Sequence, residues 1–302
     1  MTSATGPERD YVGYGAAVPV LRWPGDARLA LNIAVNVEEG SERSFQRDDG
    51  RNEGVGEFAR TVEAGVRDLA TESVFEYGSR VGIHRVLRIL AEFDVPATMF
   101  AAAVALENNP AVAEAIATVG HDVCAHGYRW TEDWQVDREE ERTRIAAAYE
   151  SIRRNTGTPP SGWYNRWMAS VHTRDLVAEH GGFRYDSNAY NDDLPYWTQA
   201  AGRDHLVVPY TLTTNDNRYI SDGLSPSGFV DYCVRAIDLL ADEGATAPRM
   251  ASIGLHARWS GQPARASALR EILAHVIGRG DVWVARRADI AAAFVAQVPP
   301  PT

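Results

Sequence analysis

Gly120-His121-Asp122-Val123-Cys124-Ala125-His126-Gly127-Tyr128-Arg129-Trp130 reads as a short apolar strand, Asp122–Ala125, that carries a histidine to its end. A glycine, two aromatic residues and an arginine follow. Polar side chains just past an apolar strand are how α/β proteins assemble their sites: the strand fixes position and the loop supplies reach. Taken alone, the same residues also fit a plain strand-to-helix turn with a surface histidine. The flanking segments decide between the two.

Upstream, 97–102 reads as a strand after Pro96 and 111–119 as a helix. Leu29–Val37 is an apolar run that ends in Glu38-Glu39-Gly40, and 41–55 is a long polar loop of the kind that often carries function. Ile83, Val86, Leu87, Leu90 and Phe93 recur at helical spacing, with Ser79 placed to cap that helix. Downstream, 137–155 is a surface helix, 162–164 a short strand, and Thr173–His180 a helix closed by Gly181-Gly182. Strands follow at 183–186 and 206–210, then a helix capped by Ser227 that runs to 242. The strand 251–255 delivers His256. A helix over 264–277 with Gly278 beyond it, a strand at 282–285 and a helix at 288–298 complete the chain. Strands alternate with helices throughout, which predicts an α/β fold with a largely parallel sheet. Seven or eight such units fit a closed or distorted (β/α) barrel, a single domain over residues 1–302 with 1–27 as an N-terminal arm.

The bulk composition narrows the function classes. Of 302 residues, 45% are apolar and 24% charged, which is ordinary globular composition for a chain long enough to bury a large core. The formal net charge of −11 argues against nucleic acid and anionic membranes, whose binding needs a basic face. No run approaches the ~20 apolar residues of a membrane span, and no signal peptide is visible. Two cysteines far apart, Cys124 and Cys233, suit a reducing compartment, so a cytoplasmic location is expected. Cys124, inside the apolar strand, reads as a small hydrophobe. The expected partner is a small-molecule substrate.

The strand ends carry a pattern. Glu38 and Glu39 end the first strand, His126 a middle one, Asp186 another, and His256 with Arg258 the late one. In a β/α barrel these ends share one face, where carboxylates and imidazoles can serve as general base and general acid. Each residue also has a plain reading: a solvated loop start for Glu38-Glu39, a satisfied core histidine for His256. Coincidence at several strand ends favours the site. Trp163, Trp167 and Trp197 read as core.

These residues also carry a resemblance. The chain resembles the polysaccharide-deacetylase (NodB-homology) superfamily and, within it, the cofactor-independent allantoinases. The likeness spans nearly the whole chain. It rests on Asn36-Val37-Glu38-Glu39-Gly40, Glu76-Tyr77-Gly78-Ser79-Arg80, the quoted stretch around His126, Tyr185-Asp186-Ser187-Asn188, Tyr210-Thr211-Leu212-Thr213-Thr214-Asn215-Asp216, and Gly254-Leu255-His256-Ala257-Arg258. It implies a distorted barrel of the NodB-homology type. In the deacetylases the slots of Glu38 and Glu39 hold an aspartate base and an aspartate metal ligand, and the slots of His126 and Trp130 hold two histidine ligands. An indole nitrogen has no lone pair to offer a metal, so Trp130 disfavours a divalent ion such as zinc and no cofactor is expected. The resemblance further implies a homo-oligomer, to which the arm with Tyr11, Tyr14 and Trp23 could contribute.

The reading that follows is an amidohydrolase that opens a cyclic ureide or imide. Glu38 activates water, His256 protonates the leaving nitrogen, and Glu39 and His126 orient the water and tune Glu38. Arg258 is a donor for the oxyanion, and Trp130, Asp186, Asn188, Asn215 and Arg166 are candidates for substrate contact. One segment departs from the allantoinase pattern. Asn165-Arg166-Trp167-Met168-Ala169-Ser170-Val171-His172 is one residue longer and bulkier than the small-residue run usual there. A deacetylase of N-acetyl sugars or other N-acyl small molecules, and a relative that kept the fold without the chemistry, are the alternatives.

Overall fold

The strand Leu29–Val37 (β1) is buried at every position and has hydrogen-bonded neighbours on both sides. The computed structural model describes residues 6–54 and 62–301. Residue 55 of the expected long loop and the first five residues of the arm lie outside the described residues. The remaining strands are β2 (Thr98–Ala101), β3 (Asp122–Ala125), β4 (Gly162–Trp163), β5 (Tyr185–Asp186), β6 (Tyr196–Ala200), β7 (Arg203–Val207), β8 (Arg249–His256) and β9 (Val282–Val284). They form one curled sheet in the order β6-β7-β5-β4-β3-β2-β1-β8, with β9 pairing β1 off that path. This is the α/β distorted barrel expected from the alternation of strands and helices.

Period-two alternation along the strands divides the core in two. Leu29, Leu31, Ile33, Val35 and Val37 pack under the surrounding helices with Met99, Val123 and Ile253. Ala30 and Ala34 face the concave side with Phe100, Cys124 and Tyr185. Leu21 and Trp23 of the arm, with Ile290 and Phe294 of the last helix, join this inner cluster, and the Trp23 indole N–H donates to the carbonyl of Arg249 where β8 begins. The arm therefore packs on its own barrel at Trp23 and Tyr14, whose hydroxyl donates to the Pro195 carbonyl at 2.6 Å, while Tyr11 and Val12 stay exposed.

The sheet is largely parallel as expected, with one exception: β6 and β7 form an antiparallel hairpin across Ala201-Gly202, both at positive φ, the geometry of the tight turns that match strand twist. Three local expectations are corrected. Ser79 caps nothing. The helix starts one segment earlier, at Leu69–Tyr77, capped by Asp68, and runs through a π turn at Gly78–Gly82 into Ile83–Glu92. Ser225, not Ser227, caps the helix Pro226–Glu243 through the N–H of Gly228. The helix Pro263–Arg279 passes through Gly278 and ends at Gly280, whose φ of 73° supplies the left-handed stop.

Strand pairing alone does not close the barrel. Residues 210–216 span the gap between β7 and β8. Asn215 forms a parallel bridge with Gly254, Asp216 N donates to Gly254 O at 2.9 Å, and Thr214 Oγ1 donates to Ser252 O at 2.5 Å. A Cβ at Gly254 would collide with the Tyr210 hydroxyl, so glycine is what lets this segment seat against β8. Among the described residues no helix is long and apolar enough to cross a membrane.

Candidate active site

The same alternation decides which strand-end residues meet. Glu38 continues the inward series Ala34, Asn36; His126 continues from Cys124; His256 continues from Ser252 and Gly254. All three border one cleft of about 230 Å³, together with Asn36, Trp130, Asn215 and Arg258. Glu39 and Asp186 have the opposite parity and are not brought to it. The Glu39 carboxylate turns back onto the chain, accepting from the N–H of Glu38 at 3.0 Å and of Arg258 at 3.2 Å. The Asp186 carboxylate faces away from the cleft, where Arg174 Nε of the helix Thr173–His180 at 2.7 Å and His205 Nε2 of β7 at 2.9 Å engage it.

Glu38 sits at the centre and is 1% exposed. Its Oε2 accepts from Arg258 Nη1 at 2.5 Å; its Oε1 lies 3.2 Å from His126 Nε2 and 3.5 Å from His256 Nε2. His126 Nδ1 donates to the carbonyl of Tyr164 at 2.9 Å, which only accepts, so Nε2 faces Glu38 and donates to its carboxylate when the ring carries a proton on both nitrogens. His256 is held likewise by Asp216. Its Nδ1 is 2.6 Å from Asp216 Oδ1, and its backbone N donates to Asp216 Oδ2 at 2.7 Å, which Ser260 Oγ also reaches at 2.6 Å. That leaves His256 Nε2 facing the cleft.

The charges follow from this packing. Burial by itself would raise the Glu38 carboxyl, but Arg258 and His256 beside it, and the hydrogen bond of His126, hold it well below the usual carboxylate range. Burial by itself would discharge His256, but Glu38 and Asp216 outweigh it and hold the imidazolium up to about 9. Glu39 is raised, first by burial and further by Glu38, against the opposing pull of Arg258.

Arg258 has no exposed surface, and its guanidinium lies among the rings of Phe75, Trp259 and Trp130 at 4.6, 4.4 and 5.1 Å. Its Nε and Nη2 have no hydrogen-bond partner among the described residues. The helix with the π turn approaches this segment closely: a Cβ at Gly78 would stand 2.5 Å from Glu39 Oε1 and 2.9 Å from Arg258 N. The Glu76-Tyr77-Gly78-Ser79-Arg80 motif thus acquires a physical reason. π turns recur where a helix must yield to a functional site.

A divalent metal does not fit these donors. Trp130 offers a π face and no lone pair, the Glu39 carboxylate is committed to two backbone N–H groups, and a fixed guanidinium already lies against Glu38. Among the described residues no three His, Cys, Asp or Glu side chains are grouped to hold a metal.

Other expected contacts are partly used up. Asn215 borders the cleft, but its Nδ2 donates to Tyr210 Oη and its Oδ1 accepts from Asn217 N. Asn188 Oδ1 accepts from Asn165 N behind the wall. Arg166 lies one layer back, bidentate to Glu53 and stacked on Trp130 at 3.8 Å. Sequence reasoning did not single out Asp216, which ends an irregular segment and has no strand-end signal. It also missed Tyr164, Tyr190 and Trp259 on the wall; of the two readings of Trp167, core residue and bulk in an altered site loop, the second holds, since it is 51% exposed and borders the cleft.

Comparison with known proteins bears on this arrangement. The family model for polysaccharide deacetylase matches residues 70–185. A Schizosaccharomyces pombe protein, by name a polysaccharide deacetylase, is 37% identical over 96% of this chain and 98% of its own length. The crystal structure of a probable polysaccharide deacetylase from Pseudomonas aeruginosa PAO1 superposes with a TM-score of 0.93 at 44% identity, covering 97% of this chain and 99% of that one. PuuE allantoinase superposes with a TM-score of 0.92 at 42% identity, with the same coverage of both chains.

Proposed function

The chain belongs to the polysaccharide deacetylase family and is allantoinase-like within it, and from that premise we propose that this hydrolase of non-peptide carbon–nitrogen bonds opens a compact cyclic ureide without a bound metal. The observation that carries the reading is Glu38 held between a guanidinium and two imidazoles at the floor of a cleft of about 230 Å³, a volume suited to a small ring.

Water beside Glu38 gives it a proton and attacks the ring carbonyl. The carbonyl oxygen becomes an oxyanion, which the positive charge of Arg258, bordering the cleft beside Glu38, stabilises. His256, already protonated, gives its proton to the ring nitrogen as the C–N bond breaks, so the nitrogen leaves neutral. The proton on Glu38 then passes to His256, 3.5 Å away, and restores the starting state. Asp216 keeps the imidazolium formed and aimed, and His126 holds the carboxylate.

A screen of allantoin, hydantoin, dihydrouracil, succinimide and N-acetylglucosamine oligomers, each with and without EDTA, tests the reading. Ring opening that survives chelation is expected. Cleavage of N-acetyl groups alone, or loss of activity on chelation with rescue by zinc, would replace the proposal by the deacetylase alternative.

The pH dependence follows from the two raised and lowered groups. Glu38 stays ionised from well below neutrality upward, and His256 keeps its proton until pH approaches about 9. kcat/KM is therefore expected to be level through neutrality and to fall with a one-proton slope above about 9. Asp216→Asn removes one of the charges that sustain the imidazolium, so the falling limb should move to lower pH. A limb that stays in place in D216N would show that another group supplies the proton.

A further inference from the structure

Trp167 stands at positive φ, 59°, a backbone conformation rare for a bulky side chain and concentrated at functional sites. The loop around it is pinned from several sides. Asn165 Nδ2 donates to Asp133 Oδ2 at 2.7 Å, Arg166 donates to Trp130 O at 2.9 Å, and Ser170 Oγ donates to the buried Glu141 at 2.5 Å. The Trp167 carbonyl accepts from Tyr190 Oη at 2.8 Å, and its ring lies 4.2 Å from the Arg166 guanidinium and 6.2 Å from the Trp134 ring. The indole is thus held rigidly, yet it is half exposed, and rigidity with exposure is what a stacking surface needs.

The cleft is divided. Glu38, His126 and His256 follow β1, β3 and β8. Trp167, Tyr190 and Leu212 follow β4, β5 and β7, which are consecutive in the sheet, and all three border the cleft while remaining 51%, 44% and 46% exposed. The Tyr190 hydroxyl is already engaged by the Trp167 carbonyl and by Tyr164 Oη at 2.9 Å. Trp130 links the halves, its ring 6.3 Å from Trp167 and 5.1 Å from the Arg258 guanidinium.

We propose that Trp167 is a specificity-determining residue: a platform for a flat apolar substituent on the substrate ring, whose amide lies at Glu38 and Arg258. This rests on the ring-opening reading above and names the substrate class within it. A polar tail laid on Trp167, Tyr190 and Leu212 would lose water to two ring faces and a leucine that offer it no free donor or acceptor, which costs binding.

Allantoin is hydantoin with a polar ureido group at ring carbon 5, so 5-phenylhydantoin differs from it in that substituent alone. The wild type is expected to prefer 5-phenylhydantoin by up to ~10-fold in kcat/KM, the order one aromatic stacking contact supplies. Trp167→Ala should remove most of that preference through KM with kcat little changed, and Trp167→Phe should keep most of it. Equal preference in the wild type and W167A, or a wild type that prefers allantoin, would overturn the proposal. If neither compound is opened, calorimetric binding of the same two compounds separates the ideas. Binding of 5-phenylhydantoin that depends on Trp167 upholds the platform and sinks ring opening; binding indifferent to Trp167, or none, sinks the platform.

Discussion

Glu38→Gln is expected to lower kcat by ~10²–10⁴-fold on any substrate of this enzyme, the usual worth of a positioned general base. The substitution keeps the shape of the side chain and its place beside His126, and removes the carboxylate proposed to receive the proton from water. Glu38 is the one carboxylate with inward parity at the end of β1, so no neighbour can replace it. Glu39 is committed to the N–H groups of Glu38 and Arg258 and faces away from the cleft. E38Q should therefore fold with unchanged circular dichroism and lose the chemical step, with KM much less affected. Turnover within a few-fold of wild type in a folded E38Q would assign the base elsewhere.

Arg258→Met is expected to be the most destabilising single change at the site, on the order of 3–5 kcal/mol at neutral pH. The methionine fills the space among Phe75, Trp130 and Trp259, so packing is largely kept. What is lost is the one guanidinium that faces both Glu38 and Glu39, at 2.5 and 3.8 Å, in a place where neither carboxylate reaches water. Burial then weighs more heavily on both acids, opposed only by His256 and His126 at Glu38 and by backbone N–H groups at Glu39, and shifts them toward their protonated forms. Two consequences separate this from a simple packing loss. R258M should regain stability relative to wild type as the pH falls, because protonation removes the stranded charge. The double variant E38Q/R258M should be less destabilised than R258M alone, a coupling that a denaturation cycle measures. A variant as stable as wild type at pH 7, or equal destabilisation at all pH values, would mean that the cation does not compensate these carboxylates.

Much of this architecture was legible before any coordinates. The apolar runs that became β1, β3 and β8 each end in a polar residue, and an apolar strand is visible because burial demands it at every position. Glu38, His126 and His256 could be named on that basis, and their convergence follows from the parallel arrangement. Parity along the strand, which the sequence also carries, separates Glu38 from Glu39 and explains why Asp186, next to the inward Tyr185, turns to Arg174 and His205.

The amino-acid sequence by itself determined the alternation of strands and helices, the residues at the strand ends, and the lack of a metal-binding lone pair on the Trp130 indole, which the resemblance set against a ligand histidine. Each depends on neighbours a few positions away or on the chemistry of one side chain. Only the tertiary structure decided the rest. Asp216 reaches His256 because residues 210–216 cross the open seam of the barrel, a path with no periodic signal. Arg258 lies against Glu38 because β1 and β8 pair in register, Asn36 beside His256, although the two strands are more than two hundred residues apart. Trp167 became an exposed wall because contacts from Glu53, Asp133 and Glu141 hold its loop, through Arg166, Asn165 and Ser170, in a conformation that local preference disfavours. Long-range contacts of this kind are set by the packing of the whole chain, and no local window of residues contains them.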